Sequence, residues 1–166
     1  MTAAYTAGSW ASFGTAVTTA AAALAGLLFI AVSINLKQIL EIPGLASRAA
    51  QTLILFATPL IGALLVIVPD QARVALGLEL LASGLVIGGV QVWLDLHAER
   101  GPEETPWRRM IGRVIPEVVS CACLGLAGAT LIAAAGGGLY WLVPSVIAAL
   151  IFGLLNVWVL LVEILR

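Results

Sequence analysis

The chain has 166 residues, of which 61% are hydrophobic and only 10% charged, with a formal net charge of −1. A soluble domain carries about 25% charged residues, so the composition excludes a soluble globular protein and places the chain in the lipid bilayer. The near-neutral balance, with no basic patch interleaved with aromatics, also excludes nucleic acid as a partner.

A helix that crosses a bilayer needs roughly 20 apolar residues. Five runs meet that length, at about 16–36, 49–68, 74–94, 116–135 and 139–162. With a loop over 95–113 they make up a single transmembrane domain, 1–166, and the expected fold is an all-α membrane bundle of five helices.

The first span follows a stretch without Lys or Arg, so it lacks the charged region of a secretory signal and is read as a retained helix. It carries a short stripe of small residues, Thr19, Ala22 and Gly26, and polar Ser33 and Asn35 towards its end. The second span has Gln51 near its start and Pro59 inside, where a missing N–H loosens the helix and predicts a kink.

In the third span, Glu79 cannot be left outside the membrane. From Leu80 only about 15 residues remain before Asp95, too few to cross. Glu79 therefore falls about 8 Å inside the outer end, where an ionisable group is costly and a functional candidate by default. It shares a side with Ser83, Val86 and Val90, while Gly84 and Gly88 mark another face that Gln91 continues. Two faces to hide predict a central place in the bundle or an oligomer contact. Thr58 and Thr130 are the nearest expected partners of the carboxylate. A purely structural role, positioning helices, stays open beside a functional one.

The fourth span opens at Pro116 and Glu117, read as a first helical turn at the interface, where proline is tolerated and a carboxylate is favoured. Arg113, four residues earlier, is placed to pair with it. Cys121, Gly125, Ala129 and Ala133 then recur every fourth residue as a packing face. Cys121 and Cys123 point to different sides of a helix and so form neither a disulfide nor a ligand pair. With a single histidine, His97, no metal site is expected. The turn AAAGGGLYW leads into the fifth span, which contains Pro144, a second expected kink, and Asn156.

Lys37, Arg48, Arg100, Arg108, Arg109, Arg113 and Arg166 fall on one side of this layout and Arg73 alone on the other. By the positive-inside rule the N-terminus is outside and the C-terminus inside. Ser33, Asn35, Gln51, Gln91 and Asn156 then gather at the cytoplasmic ends, to line an inner vestibule or to bond one another between helices.

The segments AGLLFIAVSINLKQIL (25–40), LGLELLASG (76–84) and GGGLYW with NVWVLLVEILR (136–166) resemble small bacterial multi-pass membrane proteins of the actinobacterial type. Some of these carry the label of a modulator of the membrane protease FtsH. The resemblance implies a bacterial inner-membrane location.

No phosphate-binding loop, catalytic triad or zinc motif is present, so neither an enzyme nor a cofactor is expected. The intramembrane acid and the small-residue stripes lead to a homo-oligomeric pore or carrier for a small ion. The competing expectation is a non-catalytic partner or regulatory subunit of another membrane protein.

Overall fold

The computed structural model describes residues 3–97, 107 and 110–164. Two short 3-10 turns, Ala3–Tyr5 and Ala7–Trp10, precede α1 (Ala11–Ile34), and then come α2 (Leu36–Glu41), α3 (Leu45–Val66) and α4 (Arg73–His97). After the loop, a π-helical turn at Met110–Val114 leads into α5 (Ile115–Ala133), and a 3-10 turn at Gly138–Trp141 into α6 (Leu142–Ile164). Five of these helical stretches are long and apolar enough to cross a membrane, which makes the chain a multi-pass membrane protein. Arg100, Arg108, Arg109 and Arg166, on which the expected orientation leans, lie outside the described residues, as does the side chain of Arg113.

Successive spanning helices run antiparallel. The end of the bundle that carries residues 3–10, the α3–α4 connection and the α5–α6 hairpin is called the upper end below. The lower end holds α2, the end of α4 and the π turn.

The central helix is α3, while α4, expected either there or at an oligomer contact, is more exposed. In the membrane window of α3, 56% of residues are buried, against 33% for α4 and 17% for α1. Its sequence explains why: Thr52, Thr58, Gly62 and Ala63 are small enough to admit neighbours, and all are buried. Phe56 is closed off completely, and a Cβ on Gly153 of α6 would strike its ring. Pro59 sits inside α3. The Thr58 hydroxyl next to it donates to Ile54 O at 3.0 Å, one turn back on its own helix.

The two other prolines behave differently. Pro144 lies in the first turn of α6, where no intrahelical N–H bond is lost, so the kink expected of it has no cause. Pro116 follows directly on the π turn. The helix thus continues upstream of the expected span start: a proline ring that would clash with a carbonyl four residues back is accommodated by a locally wider turn. α1 starts earlier than expected as well, because the N-terminal segment is tied down. Trp10 Nε1 donates to Ala3 O at 2.8 Å, and the indole packs edge-on against Phe13 and Tyr140.

Four of the five residues from Ala134 to Gly138 have positive φ, and this closes the α5–α6 hairpin tightly. Gly138 has a second reason to be glycine, since a side chain there would meet Ala4 O and the Tyr5 ring.

Candidate functional site

The polar residues singled out in the sequence fall into an upper and a lower group. At the upper end, Glu79 lies on the outside of α4 and is exposed, with Ser83 half-buried one turn below. Its partner is neither Thr58 nor Thr130, which bond carbonyls of their own helices at 3.0 and 2.6 Å. Gln71 Nε2, in the α3–α4 connection, donates to Glu79 Oε2 instead. The carboxylate lies six residues past Arg73, about 9 Å along the axis, and its contact with Gln71 turns it back towards the α3–α4 connection.

Beside Gln71 the structure opens a cavity of about 470 Å³. Asp70, Gln71 and Arg73 line one wall, Tyr5 and Thr6 of the N-terminal segment another, and Val66, Leu76 and Leu131 contribute apolar surface. Asp70 adopts φ 54°, a left-handed conformation that aspartate tolerates better than most residues. The cavity is built from three segments distant in sequence, so no local pattern announces it.

The lower group is only partly assembled. Gln51 and Gln91 meet: Gln91 Nε2 donates to the backbone oxygen of Gln51 at 3.3 Å, and both residues are only 2% exposed. Asn35 and Ser33 do not join them. Asn35 Nδ2 donates to Ala31 O at 2.8 Å and Ser33 Oγ to Phe29 O at 2.8 Å, both one turn back on their own helix. Asn156 is buried on α6, three residues beyond Gly153, which packs on Phe56.

Glu117 is buried, at 6% exposure. It lies in the first turn of α5, as expected, but neighbouring helices enclose it. With the π turn included, the helix starts at Met110, and Glu117 lies roughly 10 Å along it. Cys121 faces Gly88. One turn lower on each helix, the antiparallel register brings Glu117 level with Gln91. Gln51 Nε2 and Oε1 and Gln91 Oε1 are enclosed without a hydrogen-bond partner. The lower half of the bundle therefore has a layer of buried amides with a carboxylate at the same height.

Between the groups the helices are sealed. Leu80, Leu124 and Phe56 are buried to within 1% of completely. α4 and α5 approach until their backbones touch. A Cβ on Gly84 would lie 2.9 Å from Cys121 O and from Gly125 N, and one on Gly128 would meet Gly77 O and, at 2.5 Å, Leu81 N. Gly88 has ordinary contact with Cys121 at 3.5 Å. Ala129 and Ala133 are exposed, and Gly128 and Ile132 carry the contact instead. Each step of four residues advances the face by about 40°, so a strict every-fourth-residue stripe rotates out of a straight seam.

Sequence reasoning missed one polar contact entirely. Ser120 and Ser145 bridge α5 and α6: Ser145 Oγ donates to Ser120 O at 2.7 Å and Ser120 Oγ to Ser145 O at 3.1 Å. Both serines are buried. Ser120 lies between Glu117 and Cys121, and nothing local distinguishes it from a serine that bonds its own helix.

No protein-family model, curated protein or solved structure matches this chain.

Proposed function

We propose that the chain is a subunit of a homo-oligomeric pathway for a small ion, a pore or carrier, with Glu79 at the contact between subunits. The observation that carries this reading is Glu79 itself, an exposed carboxylate on the outside of a spanning helix whose exposed surface around it includes Leu78, Ala82, Val86 and Val90. Facing lipid, such a group is costly. Meeting Glu79 and Ser83 of another copy around water or an ion removes that cost and gives the carboxylate a task. A path between subunits also agrees with the close packing of α4 against α5, where Gly84 and Gly128 lie against the neighbour's backbone. In the proposed orientation, with the N-terminus outside a bacterial inner membrane, Glu79 belongs to the outer half.

Purified protein reconstituted into liposomes tests this with ion-sensitive dyes. The expected result is a cation flux that falls at least about tenfold in Glu79→Gln, a change that keeps shape and removes the charge. Absence of flux, or flux indifferent to Glu79→Gln, overturns the reading.

A second reading, the non-catalytic partner subunit, is favoured by α1. Its small stripe, Thr19, Ala22 and Gly26, is exposed, and nothing lies within 4 Å of a Cβ placed on Gly26. A helix of another membrane protein fits there at close range, and the resemblance to protease modulators leads to the same idea. Co-purification of a fixed partner in mild detergent supports this reading, and a homo-oligomer with nothing attached removes it.

A further inference from the structure

The cavity at the upper end plays no part in either reading, and its wall chemistry is unusual for a chain with so few charges. Asp70 is exposed and Arg73 half-buried. Neither side chain makes a hydrogen bond or ion pair with another described residue, although both line the same cavity. Two opposite charges thus face one space of about 470 Å³ without neutralising each other. Gln71 adds an amide oxygen that has no partner, its nitrogen being committed to Glu79. Volumes of about 300–1,000 Å³ with a few convergent polar groups are typical of small-molecule sites.

The rest of the lining decides what class of molecule fits. Ala11, Val66, Ile67, Val68, Leu76 and Leu131 form an apolar floor, and the α3–α4 connection and N-terminal turns place the cavity where a spanning bundle leaves the hydrocarbon. An occupant therefore needs a charged head and an apolar continuation. Charge selects further. Asp70 at the wall and Glu79 behind Gln71 oppose a purely anionic head, and Arg73 opposes a purely cationic one. A zwitterion satisfies both. Quaternary ammonium groups are held by aromatic cages, and Tyr5 is the one aromatic side chain lining this wall. A primary ammonium, by contrast, donates charge-assisted hydrogen bonds to a carboxylate.

We propose that this cavity is a lipid site that takes a headgroup in which a primary ammonium is linked to a phosphate, the phosphate on Arg73 and the ammonium on Asp70, with the glycerol and upper acyl chain on the apolar floor. Guanidinium binds phosphate through paired N–H donors, and Asp70 and Arg73 line the same cavity. The site is independent of whether Glu79 conducts.

Native mass spectrometry of the detergent-solubilised full chain tests it, with phosphatidylethanolamine, phosphatidylglycerol and phosphatidylcholine added in turn and water-soluble phosphoethanolamine as a fourth arm. The ethanolamine lipid is expected to be retained at least about tenfold better than the other two lipids, and Arg73→Gln and Asp70→Asn should each cut that retention about tenfold, the loss of one charged hydrogen bond. Asn keeps the left-handed backbone at 70 accessible, and Ser33→Ala at the lower end should leave retention unchanged. Equal retention of all three lipids, or of the ethanolamine lipid by wild type and variants alike, overturns the site. Phosphoethanolamine bound as tightly as the lipid overturns the lipid as its source. Selectivity of the unmodified protein decides the matter even if a variant fails to fold.

Discussion

The seam between α4 and α5 and the outer stripe of α1 start from the same sequence signal, small residues at helical spacing, and end in opposite states. At the seam Gly77, Gly84 and Gly128 lie against backbone, leaving no space for a methyl group. On α1, Thr19, Ala22 and Gly26 face outward with nothing against Gly26. Small residues permit close approach; they do not say whether the approaching helix belongs to the same chain. Lipid tails are as apolar as leucine, so an open stripe is tolerated in the bilayer and the filled seam is held by packing and close contact.

The comparison breaks most visibly at Gly128. Gly128→Ala should force α4 and α5 apart and cost about 1–3 kcal/mol or more by overpacking, read as a lowered unfolding midpoint in detergent. Gly125→Ala, one turn away, is the control. A Cβ there meets only Leu81 Cδ1 at 3.8 Å, so stability should stay near wild type. A smaller effect is expected where side chains rather than backbones hold helices together. Ser120→Ala and Ser145→Ala should each lower stability by about 0.6 kcal/mol, the usual worth of a bond between membrane helices, since each removes one hydroxyl that donates to the other residue's backbone oxygen, read as a lowered unfolding midpoint. The smallest effect on the subunit belongs to Gly26→Leu, which should leave the unfolding midpoint within about 0.5 kcal/mol, as for surface changes generally. If the α1 stripe is used for association, the same variant shifts the oligomer or partner complex in native electrophoresis; an unchanged assembly state shows that α1 faces lipid.

The number of spans could be read directly, because bilayer thickness sets a length that apolar runs either reach or miss. The boundaries were less legible. Nothing in MIGRV announces a π turn, yet that turn carries the helix below Pro116 and buries Glu117. A count of residues from the far end places Glu117 in a first turn at the interface and Glu79 within the span, and it does not say that neighbours enclose Glu117 and leave Glu79 exposed. Depth along one helix is a sequence property; burial depends on which neighbours are level with a residue. The polar lower ends teach the same point. Asn35 and Gln91 have similar chemistry, but Asn35 bonds its own helix and Gln91 reaches the neighbour's backbone. The Ser120–Ser145 bridge and the upper cavity depend on pairings between distant segments, which periodicity within a single helix does not encode.

The lacing of the N-terminus carries a consequence for how the molecule comes into being. Tyr5 accepts a hydrogen bond from Gly137 N, 132 positions later in the chain, and Ala4 lies against Gly138. A chain made from its N-terminal side inserts α1 before α5 and α6, so Tyr5 gains this partner, and Ala4 its neighbour, only once the α5–α6 hairpin has emerged. The cavity wall formed by Tyr5 and Thr6 is therefore fastened late, although it precedes α1 in the chain. A chain arrested before that hairpin would possess Asp70 and Arg73 without the Gly137 bond that holds Tyr5 beside them.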